Sequence, residues 1–162
     1  MISNIYVTFG SKDYLSKILA QNVNRDLHLF NSITNNDSFE LVDLSNQDTI
    51  FKNPINYNVI THSGIDFWNG TISYINVDLD DNQQKIIDAK INNIISNNLL
   101  PDGMSSIYSL NIYKKSSKRV ILTTWDNDRK VANWYRSKSA DDLFEFKDQI
   151  NTNYFETIYK AI

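Results

Sequence analysis

The residues of this chain best able to do chemistry are aromatic and hydroxylic rather than nucleophilic. They gather in the run Arg119–Ser137, RVILTTWDNDRKVANWYRS. Val120 to Thr124 are almost all β-branched or apolar and read as a strand. Asp126, Asn127 and Asp128 can each cap a helix through a side-chain oxygen. A short helix is then expected, with Val131, Trp134 and Tyr135 at i, i+3 and i+4 on one apolar face. A strand that ends in Trp125 and feeds a helix bearing Trp134 would line a flat apolar pocket, or equally a corner of the core.

Other constellations have simpler explanations. Asp78, Asp80 and Asp81 resemble cation ligands, but they immediately precede a helix whose N-terminus favours acidic residues. His62 near Asp66 has the look of a base and its orienter, yet no nucleophile accompanies it, and a surface pair is expected. His28 sits between two leucines on a strand and is expected to be structural. Asp141 and Asp142 adjoin a helix start, where capping accounts for them.

Composition narrows the classes. The chain has 162 residues, 41% hydrophobic and 12% aromatic, which is enough for a real core in one domain or two small packed halves. Four glycines allow neither GxGxxG nor GxxxxGK[ST], so the phosphate-cradling loops are excluded. Zero cysteines exclude disulfides, thiolate metal sites and a thiol nucleophile. A formal charge of −3 argues against nucleic acid as a partner. Lys114, Lys115, Lys118 and Arg119 form the main basic patch and are expected in a solvated hairpin loop. There is no signal-peptide pattern and no apolar run long enough to span a bilayer, so a cytoplasmic protein is expected.

The elements that must position Trp125 and Trp134 follow from periodicity. Ile5–Phe9 reads as a strand, Ser11 as the cap of a helix carrying Tyr14, Leu15, Ile18 and Leu19, and 27–33 and 39–44 as a hairpin. Residues 45–66 are less regular and are taken as a link, with Ile55 to Ile60 either a short helix or an extended segment. Thr71–Leu79, a helix over 81–97, strands over 104–113 and 119–125, two short helices and a strand over 154–162 complete a β-α-β-β-α-β order. That order is the ferredoxin-like plan, and residues 1–66 look like a shortened copy of 67–162. The expected class is α+β: ferredoxin-like antiparallel sheets whose two halves close a dimeric-type α/β barrel within one chain, with a ligand cleft between barrel and helices.

The runs ILTTWDND (121–128) and VANWYRSKS (131–139) resemble the antibiotic-biosynthesis-monooxygenase family, especially its heme-degrading branch. IYVTFGSKDYL (5–15) and FKNPINYNVI (51–60) extend the likeness to its two-part bacterial members, which include TRAP-type signalling proteins. In the heme-degrading branch an Asn, a Trp and an axial His carry the chemistry. The resemblance implies that Trp134 is the Trp, that Ser73 occupies the Asn position, and that Phe144 occupies the position of the iron-ligating His. Trp134 and Ser73 are thus the catalytic candidates, and Phe144, Tyr74, Trp125 and Tyr135 the pocket candidates, with no metal site. Phe144 cannot ligate iron, whereas Tyr135 is a conceivable alternative donor. The function implied is binding or oxidation of heme, as substrate or ligand, or of another small flat apolar molecule, by a monomer or homodimer. The alternative is a non-enzymatic, TRAP-like protein of stress response or signalling.

Overall fold

In the computed structural model, which describes residues 1–149 and 153–162, the alternation read from the sequence becomes a two-faced barrel wall. The strands are β1 (Asn4–Gly10), β2 (Leu27–Ser32), β3 (Phe39–Asp43), β4 (Ile55–Gly64), β5 (Thr71–Asp78), β6 (Met104–Ile112), β7 (Lys115–Trp125) and β8 (Tyr154–Ala161). They close in the order β1-β3-β2-β8-β5-β7-β6-β4, with every neighbouring pair antiparallel. The two halves meet along two seams, β2 with β8 and β4 with β6. Closure removes the free strand edges that each half would otherwise present.

The period of two along each strand sends alternate side chains inside and outside. On β5, Ile72 and Tyr74 join the interior with Val120 and Leu122 of β7. Ile75 and Val77 point the other way with Ile121 and Trp125, under the helices. Helix α1 (Lys12–Gln21), capped by Ser11, covers Leu29 and Leu41 with Leu15. Helix α2 (Asp81–Ser96) buries Ile87 and Ile91. Its cap is Asp80, in a reciprocal capping box with Gln83, and Asp81 lies in the first turn, so these two acids sit at the helix N-terminus where negative charge is favoured. Helices α3 (Asp128–Tyr135) and α4 (Lys138–Leu143) are capped by Asn127 and Ser137.

Three expectations are corrected. Residues 55–64 take the extended alternative rather than the helical one, as a full strand with a bulge between Val59 and Thr61, paired with β1 and β6 rather than serving only as a link. Their polar-rich sequence hid this, because only Tyr57 of that strand is fully buried. The basic cluster is not a loop. Lys114 alone takes the left-handed turn conformation (φ 63°), and the strand resumes at Lys115. Lys118 and Arg119 face Asp78 at 3.2 Å and Asp88 at 3.5 Å. Finally, His62 is no surface loop residue: it lies on β4 and stacks on Tyr108 with ring centroids 4.2 Å apart. Tyr108 donates a hydrogen bond to Asp66, and His62 Nε2 approaches the same carboxylate at 3.3 Å without hydrogen-bond geometry.

Candidate functional site

The strand-to-helix corner that carries Trp125 and Trp134 is built as the sequence requires. Trp125 ends β7 on its outer face, fully buried, and its indole N–H donates to Thr123 Oγ1 at 2.7 Å. The two residues are i and i+2 on one strand face, so a buried indole finds its acceptor locally. Near the C-terminal end of α3, Trp134 lies against Trp125, Tyr135 and Phe144, with ring centroids 5.5, 5.5 and 5.8 Å away. Phe144 meets it edge to face, a favourable aromatic arrangement, and touches Tyr154 of β8 at 5.9 Å.

Two polar features stand beside this aromatic layer. The Tyr135 hydroxyl and Ser73 Oγ are hydrogen-bonded across the gap between α3 and β5. Burial, rather than this bond, dominates the Tyr135 phenol and raises its pKa, and the Glu156 carboxylate adds to the rise. Tyr135 is therefore held as the neutral phenol. The second feature is the Trp134 indole N–H, which is buried and without a hydrogen-bond partner among the described residues. A buried donor left unpaired costs about 1–3 kcal/mol, so it marks a place where an acceptor is missing.

Five of the six sequence candidates, Ser73, Trp125, Trp134, Tyr135 and Phe144, thus lie together in one packed cluster between β5, β7 and the helices. The sixth does not join them. Tyr74 follows Ser73 by one residue and so faces the barrel interior, where it donates to Glu40 Oε1 at 3.0 Å. Tyr57 stacks on Tyr74 at 6.1 Å and Tyr159 meets it edge-on at 5.9 Å. Burial pushes the Glu40 carboxyl up to about 8, partly opposed by the bond from Tyr74. Sequence reasoning missed Glu40. The available signal was a lone acid inside the otherwise apolar run Phe39–Val42. It also missed Tyr154 and Glu156, because an alternating strand does not announce which face meets the helices.

The residues present do not fit heme held by an axial ligand. Phe144, at the position the resemblance gives to that ligand, is 4% exposed and packed edge-on against Trp134. Tyr135 would have to ionise in surroundings that favour its neutral form and give up Ser73. Among the described residues no group of three or more His, Cys, Asp or Glu is placed to hold a metal ion. No helix among them is long and apolar enough to cross a membrane.

No family model matches the chain, and no curated protein matches it. Solved structures do. A major regulator of staphylococcal pathogenesis is 19% identical, with a TM-score of 0.81 over 98% of this chain and 99% of its own. A ferredoxin-fold protein related to antibiotic biosynthesis monooxygenases, from Listeria monocytogenes, is 17% identical, with a TM-score of 0.78 over 99% and 95%. A heme-degrading enzyme from Listeria monocytogenes is 18% identical, with a TM-score of 0.75 over 98% and 99%. At such identities the likeness is one of fold, and the resemblance read from the sequence holds at that level. The chain has the ferredoxin-like fold of the proteins related to antibiotic biosynthesis monooxygenases, with its eight-stranded barrel closed within a single chain.

Proposed function

We propose that this chain binds a small, flat, apolar molecule in the crevice between β5 and helices α3 and α4, and does so without coordinating iron. The observation that carries the reading is the Trp134 indole N–H, buried among tilted and edge-on rings with no acceptor among the described residues. A ligand carbonyl or ring nitrogen would supply that acceptor. The rings of Trp134, Phe144 and Tyr154 would supply the faces, and the Ser73–Tyr135 pair a second polar contact. Because these side chains already fill the crevice, entry requires Phe144 and Tyr154 to turn aside. Phe144 is the cap residue of the six-residue helix α4, a short element with little of its own to hold it. A monooxygenase-like activity would lie in the reaction of such a bound molecule with O2.

Titration of the purified protein with hemin, and separately with anthrone, followed by absorbance and tryptophan fluorescence, tests this. Saturable quenching by anthrone is expected, with no Soret shift of the kind an axial ligand produces. A tight hemin complex whose Soret band decays with ascorbate and O2 would restore the heme-degrading reading. Absence of saturable quenching by either molecule would defeat ligand binding. A second reading, a non-enzymatic regulatory protein resembling the TRAP type, is favoured by one observation: the crevice is filled by its own side chains, with Trp134 and Phe144 each 4% exposed.

A further inference from the structure

The packed aromatic cluster reaches solvent at one edge, where Glu156 of β8 is exposed. On the outer face of β8, Tyr154 and Ile158 pack against the layer under α2, α3 and α4, while Glu156 between them is exposed. Glu156 stands opposite Ile75 in register and Ile158 stands opposite Ser73, so Glu156 is a diagonal neighbour of Ser73 on the same face. Tyr154 donates its hydroxyl to Glu156 Oε2 at 3.0 Å. The Glu156 charge also reaches Tyr135: after burial, it adds to the upward shift of both phenols, joined at Tyr154 by Tyr135 and by Asp141 of α4. Asp141 is itself paired with Lys147 at 3.2 Å. The nearest cation on the β8 face, Lys160, is four residues further along, roughly 13 Å at the rise of a strand, and stands opposite Asn31 and Thr71. The rim beside the aromatic rings is therefore a carboxylate backed by two neutral phenols.

We infer that Glu156 sets the ligand specificity of this crevice, favouring flat aromatic molecules that donate a hydrogen bond, such as phenols, over those that carry a carboxylate. The inference rests on the ligand-binding reading above and names the ligand class for that same site. A phenol edge placed beside Glu156 gains a charge-assisted hydrogen bond. A ligand carboxylate placed there meets a like charge, and the bound ring would displace part of the water that screens the exposed Glu156. The same argument disfavours hemin, whose two propionates are carboxylates.

Three naphthalene probes of one shape separate these effects: 2-naphthol, 2-naphthoate and naphthalene itself, titrated at pH 7 into the wild-type protein and into Glu156→Gln. The expected result is that wild type binds 2-naphthol at least about tenfold more tightly than 2-naphthoate. In Glu156→Gln that ratio should fall to about threefold or less, chiefly through tighter naphthoate binding. Glu156 is exposed, so the variant should melt close to wild type, which a thermal scan verifies. Equal or tighter binding of naphthoate by wild type, or an unchanged ratio in Glu156→Gln, would overturn the inference. If naphthalene binds and the ratio is near one, this inference alone fails. If none of the three probes binds, the ligand-binding reading fails and takes the inference with it.

Discussion

Tyr74 of the second half donates a hydrogen bond to Glu40 of the first half at 3.0 Å, inside the barrel that both halves close. Glu40 lies on β3 and Tyr74 on β5, so this bond spans the barrel between the first and second halves of the chain in a water-poor interior. A buried carboxyl tolerates that position only in its neutral form, and burial accordingly raises its pKa from the ordinary 4.5 to about 8.

The first prediction follows from that shift. Because the folded state holds the Glu40 proton more tightly than the unfolded chain, its contribution to stability is fully present below pH 4.5. It then falls as pH rises toward 8. The slope expected from one such group is about 1.4 kcal/mol per pH unit. Glu40→Gln keeps the shape and cannot ionise, so its denaturation midpoint should vary much less between pH 5 and 8 and exceed that of wild type at pH 8. Urea unfolding at a series of pH values measures both. Parallel pH profiles for the two proteins would contradict the assignment.

Trp134 should respond differently to two substitutions. Trp134→Ala removes a 4% exposed ring from among three neighbours and should cost about 3–5 kcal/mol. Trp134→Phe retains most of the packing and deletes the unpaired N–H, so its cost should be far smaller, on the order of 1 kcal/mol or less. Equal losses in chemical denaturation would show that the indole N–H is satisfied after all.

Phe144→His tests whether position 144 corresponds to the iron-ligating position of the heme-degrading branch that the sequence resembles. The imidazole would replace a ring packed edge-on against Trp134, and hemin should then give a Soret shift that wild type lacks. No shift, in a variant that still folds, would mean that the position does not face the ligand crevice.

Gly64, at the end of β4, has φ +102°, and a Cβ there would lie 2.1 Å from the backbone oxygen of Ser105. Backbone cannot step aside as a side-chain tip can, and the angle is one that L residues avoid. Gly64→Ala should therefore destabilise the β4–β6 seam by several kcal/mol, well beyond about 1 kcal/mol for a typical substitution. Loss of amide protection along Tyr57–Gly64 and Ser106–Ile112 in hydrogen exchange would locate the damage.

Much of the fold was legible because the signals were local. Ser11, Asp80 and Asn127 each cap the helix they precede, and the alternation of Thr71–Asp78 and Val120–Trp125 placed both faces of β5 and β7. What escaped was set by distant partners. Residues 55–64 read as irregular because barrel closure, not their own apolar content, makes them a strand between β1 and β6. Tyr74 was grouped with Ser73 by proximity in sequence, although adjacent strand residues face opposite sides. Trp134 and Phe144 were placed together through family resemblance. Glu156 and Tyr154 became visible only when β8 was seen beside β5.

The indole N–H resonance of Trp134 tests the central claim most directly. The protein has three tryptophans and hence three such signals, which Trp134→Phe assigns by removing one. On titration with anthrone, the Trp134 signal should move downfield and saturate as its N–H acquires an acceptor. The Trp125 signal, already bonded to Thr123, should change little. A Trp134 signal that stays fixed while the ligand binds elsewhere, or while no binding occurs at all, would contradict the account.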